Sequence, residues 1–156
     1  MRSPYPWLAI SLVVIVLDQV TKYGISHSLM FGESIPIAPF FNLVLAYNTG
    51  AAFSFLAGAG GWQRIFFMAI AVVACVIILN LLRKHYQERW FSLALSLILG
   101  GALGNLIDRI LLGHVVDFLD FYVANYHWPA FNVADSAITL GAVLLILDSL
   151  KKPAVK

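Results

Sequence analysis

The chain has 156 residues, 61% hydrophobic and only 12% charged, and its mean hydropathy of +0.86 excludes the polar coat that a soluble domain of this size needs. The net charge is +2, and the ten Lys and Arg residues fall in small groups, not a stripe, so a nucleic-acid binder is excluded as well. A single cysteine leaves no internal disulfide framework and no Cys-based zinc site. These limits leave an integral membrane protein, read as one membrane domain over residues 1–156.

A spanning helix needs ~20 mainly apolar residues to cross ~30 Å of hydrocarbon. The first predicted span runs from about Trp7 to Ser26. Arg2 and the apolar run after it imitate a secretory signal. No small-x-small cleavage site follows, and Asp18 and Lys22 interrupt the distal part, so the segment is read as a retained helix. A loop of about 27–63 comes next. Within it, Pro36 and Pro39 precede a β-prone run from Phe41 to Tyr47, which predicts a short strand or two at the interface. The second span covers Ile65–Leu82, bounded by Arg64 and Arg83. Val72-Val73-Ala74-Cys75 looks like a lipidation box, but its place deep in that span makes Cys75 a packing residue. The third span runs from Phe91 to about Leu112, and the fourth from Phe131 to Leu150. Trp62, Trp90 and Trp128 fall near predicted helix ends, where aromatic belts form.

Orientation follows from the basic residues. Arg2 precedes the first span, Arg83, Lys84 and Arg89 crowd the link between spans two and three, and Lys151, Lys152 and Lys156 follow the fourth. No Lys or Arg occurs from Tyr23 to Gln63 or from Ile110 to Ser149. Both termini are therefore expected in the cytoplasm. The loop of 27–63 and the link of 113–130 are expected on the opposite side.

Ionisable groups inside spans cost ~2.5–3.5 kcal/mol each on insertion scales and usually mark function. Here they gather at the outer ends. Asp18 and Lys22 stand on span one, Asp108 and Arg109 close span three with Asp117 just beyond, and Asn132 and Asp135 open span four. Asp18 and Lys22 form an i,i+4 pair in the favourable order. Gly100 and Gly104 form a GxxxG that admits a neighbouring helix. Buried hydrogen-bonded glue accounts well for Asn105 and Thr139, but poorly for Asp117 and Asp135, which have no basic neighbour in sequence. Two acids without two bases suggest carboxyls that share a proton, one acting as general base on water and the other as acid. That chemistry needs no metal, cofactor or nucleophilic side chain, and no HExxH, Gly-x-Ser-x-Gly or phosphate loop competes with it. A proton-coupled carrier would need polar groups at several depths, whereas the cytoplasmic half is nearly all apolar. A packing subunit would tolerate loss of both acids. An intramembrane protease of the presenilin kind would carry its acids nearer the bilayer centre.

Five blocks then stand in order: Asp18-Gln19-Val20-Thr21-Lys22; Asn48-Thr49-Gly50-Ala51-Ala52-Phe53; Gly100 through Gly104-Asn105-Leu106-Ile107-Asp108-Arg109; Val115-Val116-Asp117-Phe118; and Phe131-Asn132-Val133-Ala134-Asp135. In these the chain resembles the lipoprotein signal peptidases, or signal peptidase II. The resemblance implies a four-helix membrane bundle with a small β-cradle and a loop on the periplasmic side. It implies an aspartic endopeptidase of the bacterial inner membrane that cuts prolipoproteins just before a diacylglyceryl-modified cysteine. Asp117 and Asp135 match the catalytic aspartates. Asp18, Lys22, Asn48, Gly50, Asn105, Arg109, Asn132 and Ala134 match the positions that shape the site and contact substrate or the antibiotic globomycin. Arg109 and Lys22 either satisfy backbone or headgroup oxygens or pair with Asp108 and Asp18. Asn48 either donates to the substrate backbone or simply turns the chain in Asn-Thr-Gly. The expected partners are prolipoprotein substrate and membrane lipid, with no nucleic acid, and the chain is expected to work as a monomer.

Overall fold

The computed structural model describes residues 3–50 and 62–151. Arg2, the motif residues Ala51, Ala52 and Phe53, Lys152 and Lys156 lie outside the described residues. Four helices, α1 (Tyr5–Ser28), α2 (Trp62–His85), α3 (Arg89–Leu111) and α4 (Val133–Lys151), are long and apolar enough to cross a membrane. Even α4, with 19 residues, spans about 28 Å at ~1.5 Å per residue. Pro4 caps α1 and Pro6 sits in its first turn, where a missing N–H costs no helical bond. Leu29, in extended conformation, ends it.

α3 is the most buried helix and packs against α1, α2 and α4. Lipid tails are as apolar as leucine, so helix association in a bilayer relies on close packing and hydrogen bonds. Both are present between α1 and α3. A Cβ at Gly100 would lie 2.8 Å from the Ser11 carbonyl oxygen, and one at Gly104 would lie 2.6 Å from Asp18 Oδ2, so only glycine admits α1 this closely. Ser11 Oγ donates to the Ser96 carbonyl at 2.8 Å, and Trp7 Nε1 donates to the Tyr86 carbonyl at 2.8 Å. Around Trp7, the residues Cys75, Ile78, Leu82, Leu95 and Leu99 form an apolar core. Leu12, Val16, Val72, Ile77 and Leu147 point outward and are exposed, the inverse of a soluble fold.

An antiparallel sheet in the order β1 (Ser34–Ala38), β2 (Phe41–Asn48), β3 (Val115–Val123), β4 (Tyr126–His127) caps the other end of the bundle. Leu29, Leu45 and Val116 join it to the end of α1. β2 occupies the run that the sequence marks as β-prone. Its partner β3 lies in the stretch 113–130, which the sequence reading treated as a link. The β2–β3 ladder pairs Asn42 with Asp120 and Ala46 with Asp117, and its register shifts between Leu43 and Ala46. A bulge of this kind re-aims the side chains on either side of it. Phe131 returns alongside β3, its N–H donating to the Leu119 carbonyl at 3.1 Å, and the chain then enters α4 at Asn132. The architecture is thus a four-helix membrane bundle carrying a small four-stranded sheet. The ends of α1 and α3, the start of α4 and strand β3 meet at one place.

Candidate active site

Lys22 is the first organiser of that place. Its Nζ lies 2.8 Å from Asp18 Oδ2 on its own helix and 2.8 Å from Asp108 Oδ2 on α3, and donates to Asn105 Oδ1 at 2.9 Å. All three N–H groups of the ammonium are therefore used inside the protein. Two buried carboxylates against one ammonium leave a surplus negative charge, which N–H donors offset. Gln19 Nε2 donates to Asp108 Oδ1 at 2.9 Å, Val116 N donates to Asp108 Oδ2 at 3.1 Å, and Ala134 N donates to Asp18 Oδ1 at 2.9 Å. The last contact sets Asp18 against the positive end of α4. Of the two roles that the sequence leaves open for Lys22, pairing with the acids is the one observed.

Asn132 is the second organiser. It stands just before α4, and its Oδ1 accepts the Asp135 N–H at 2.9 Å, an N-cap bond to the third helical residue. Its Nδ2 lies 2.7 Å from Asp117 Oδ1, 3.2 Å from the Val116 carbonyl and 3.3 Å from Asn105 Oδ1. One fully buried amide thus touches both carboxylate residues. Asn105 Nδ2 donates to Asp135 Oδ1 at 2.8 Å, so Lys22 fixes the amide that fixes Asp135. Oδ2 of Asp135 has no protein hydrogen-bond partner among the described residues.

Asp117, 3% exposed on β3, has a pKa pushed up to about 7 from an ordinary 3.8. Burial is the main cause and the charge of Asp135 adds to it. The amides of Asn48 and Asn132 and the charge of Lys22 oppose the rise. A carboxylate pair holding one proton near neutrality can act as acid and base together.

Asn48 ends β2. Its Nδ2 donates to Asp117 Oδ2 at 3.1 Å, and its Oδ1 accepts the Gly50 N–H at 2.9 Å. It is a turn residue and a carboxylate partner at once. Arg109 Nη2 donates to the Gly50 carbonyl at 2.8 Å and Nη1 to the Asn105 carbonyl at 3.4 Å. Arg109 therefore satisfies backbone oxygens, and its guanidinium lies 5.7 Å from the Phe67 ring centroid. Its Nε is buried without a hydrogen-bond partner among the described residues. His114, beside this end, has its pKa lowered by burial, against the charge of Asp108.

The structure brings Asp18, Lys22, Asn48, Gly50, Asn105, Arg109, Asn132, Ala134, Asp117 and Asp135 into one connected hydrogen-bond network. Asp18, Asn132 and Ala134 are fully buried in it, whereas Asn48, Arg109 and Asp135 are half-buried. Sequence reasoning missed Gln19, which shares the helix face of Asp18 only through its long side chain. It also missed a second buried acid on β3, Asp120, which accepts from Asn42 Nδ2 at 2.8 Å and lies 2.9 Å from His127 Nδ1. The β-branched and aromatic run from Val115 to Val123 was the available signal for β3, and nothing local marks Asp120. Among the described residues, no three His, Cys, Asp or Glu side chains group so as to hold a metal ion.

Residues 10–151 match the sequence profile of the family described as signal peptidase (SPase) II. The chain belongs to the signal peptidase II family. The matched span contains every residue of the network. The chain is 61% identical over 150 residues to the lipoprotein signal peptidase of Cupriavidus necator, covering 96% of this chain and 86% of that one. It is 60% identical over 147 residues to that of Ralstonia nicotianae, covering 94% and 85%. Two solved structures of bacterial membrane enzymes, determined by the in meso method, are also similar. The one at 2.3 Å resolution has a TM-score of 0.85 at 35% identity, over 97% of this chain and 94% of that one. The one at 1.9 Å has a TM-score of 0.82 at 37% identity, over 94% of each. This signal peptidase II chain is accordingly a multi-pass membrane protein and a peptidase.

Proposed function

We propose that the chain cleaves the signal peptide from diacylglyceryl-modified prolipoproteins immediately before the lipidated cysteine, and that Asp117 and Asp135 do so as an aspartate pair that activates water. The observation that carries the reading is the joint seating of the two carboxyls. Asn132 Nδ2 donates to the Asp117 carboxyl, Asn105 in contact with Asn132 donates to the Asp135 carboxyl, and Asp117 has a pKa of about 7. The lipoprotein signal peptidases to which the chain is similar support the substrate class.

The chemistry balances with one shared proton. The ionised member takes a proton from water as the water oxygen attacks the scissile carbonyl carbon, and the protonated member gives its proton to the carbonyl oxygen. The gem-diol then collapses. One of its hydroxyls returns a proton to the now ionised carboxyl, the C–N bond breaks, and the other carboxyl protonates the leaving amine. The pair ends with one proton, as it began.

The layout suits a lipid-anchored substrate, whose cleavage site sits at the depth of its lipid. The carboxyls stand at the end of the bundle opposite Arg83, Lys84, Arg89 and Lys151. Under the positive-inside rule that end faces the periplasm of a bacterial inner membrane, with both termini cytoplasmic. Asn48 and Arg109 line the approach to the pair and hold substrate or globomycin there, with Gly50 and Asn132 buried directly beneath them. Asp18, Lys22, Asn105 and Ala134 shape it from behind. The partners are prolipoprotein and membrane lipid, and the working unit is a monomer.

The test is incubation of the purified protein with a diacylglyceryl prolipoprotein and with its unlipidated form, chelator present, followed by mass spectrometry of the products. Cleavage at the residue before the lipidated cysteine, on the lipidated form alone, is expected. Cleavage elsewhere, or none, overturns the reading and reopens the carrier and packing-subunit alternatives.

A further inference from the structure

We propose that Arg109 is a positioning residue: by gripping the Gly50 carbonyl it holds the Asn48 amide in the orientation that Asp117 requires. The proposal rests on the reading of Asp117 as one of the catalytic pair.

Three bonds carry it in series. Arg109 Nη2 donates to Gly50 O at 2.8 Å, Gly50 N donates to Asn48 Oδ1 at 2.9 Å, and Asn48 Nδ2 donates to Asp117 Oδ2 at 3.1 Å. The middle bond decides the orientation of the amide. A backbone N–H can only donate, so Gly50 claims the carbonyl oxygen of Asn48, and the NH2 is left facing the carboxylate. A half-turn of that amide would put oxygen against carboxylate. Asn48 pairs with Val115 at the end of the β2–β3 ladder, so Gly50 lies beyond the strand and outside its regular bonds. Among the described residues, the Arg109 bond ties this buried residue to α3. The guanidinium is itself oriented twice more, by the Asn105 carbonyl and the Phe67 ring. A point-like ammonium would lack the planar fork that makes these contacts together.

Arg109 also carries charge, and Asp135, Asp117 and Asp108 all act on it. Asp117 in turn faces the charges of Lys22 from α1 and Asp135 from α4. Grip and charge are therefore two routes from Arg109 to Asp117, and a double-mutant cycle separates them.

The readout is the alkaline limb of the pH–rate profile for cleavage of the diacylglyceryl substrate, with KM and kcat resolved. Losing a donor to an ionised carboxylate raises its affinity for the proton, so the limb moves to higher pH by about one unit. Arg109→Ala and Asn48→Ala are each expected to show this shift, and the double variant no more than Asn48→Ala alone. Arg109→Gln replaces Arg109→Ala if the latter does not fold. For variants that turn over too slowly, the shift is read from the pH at which the stability gap to the matching Asp117→Asn protein stops growing, which the folded-state proton affinity of Asp117 sets. If the Arg109→Ala shift persists in full on the Asn48→Ala background, charge acts directly and the proposal is wrong. A raised KM with the limb unmoved makes Arg109 a substrate contact only and also overturns it. An active Asp117→Asn, or a wild type with no alkaline limb, instead sinks the reading of the pair itself.

Discussion

Replacing Asp117 by Asn removes a buried charge while keeping the side chain's shape, and the structure sets the size of the effect. Asp117 is 3% exposed and its pKa rises from 3.8 to about 7. At ~1.4 kcal/mol per tenfold change in proton affinity, holding that group ionised costs the folded state about 4 kcal/mol. The bonds from Asn48 and Asn132 are already inside this figure, because they favour the ionised form and pull the value down. The sign follows from linkage. Below pH 3.8 the carboxyl is protonated in both states, and the amide differs there in having one oxygen for two donors, Asn48 Nδ2 and Asn132 Nδ2, which costs it about 1–2 kcal/mol. Between 3.8 and about 7 the unfolded chain loses its proton first, so wild-type stability falls as pH rises, and above about 7 the loss is complete. The variant does not titrate at this position. Equilibrium unfolding in mixed detergent micelles, followed by tryptophan fluorescence from pH 4 to 8.5, should therefore show the variant less stable by about 1–2 kcal/mol at the acid end. The variant should then become the more stable by about 2–4 kcal/mol at the alkaline end. A variant that is less stable at pH 8, or a gap that does not change with pH, would refute the argument that Asp117 is a strained carboxylate.

Three further outcomes follow from the same network. Cleavage by the wild type should fall above about pH 7 as the pair loses its shared proton, measured as kcat against pH in one micelle composition. Lys22→Met leaves Asp18 and Asp108 buried without their cation and should cost about 3–5 kcal/mol in the unfolding assay, with much of the loss recovered in the Asp18→Asn, Lys22→Met, Asp108→Asn triple variant. Gly104→Ala places a methyl 2.6 Å from Asp18 Oδ2 and should destabilise by about 1–3 kcal/mol.

The membrane class and the four apolar helices were readable from the chain because a spanning segment is long, local and compositionally distinct. The Asp18–Lys22 pair was readable too, since four residues on a helix make one turn. What lay beyond one helix was not. Lys22 takes its second acid, Asp108, from α3, and nothing within either helix pairs them. The β-branched and aromatic run from Val115 to Val123 marks β3, but its two acids, three residues apart, break the alternation that identifies a strand in sequence. The two alternatives for Asn48, turn residue or polar contact in the site, were set against each other in sequence. In the fold its two amide ends serve both, one bonding Gly50 and the other Asp117. The double duty of Asn132 is likewise tertiary. Its cap bond is local, but its bond to Asp117 depends on β3 running past the start of α4.

The aspartate mechanism is tested most directly by single-turnover cleavage of a diacylglyceryl prolipoprotein by wild type, Asp117→Asn and Asp135→Asn, each shown to be folded by its unfolding transition. A wild type that cuts while both folded variants fall by at least ~10³-fold is the predicted result, since neither half of the pair can work without the other. Cleavage by either variant within about tenfold of wild type would contradict it.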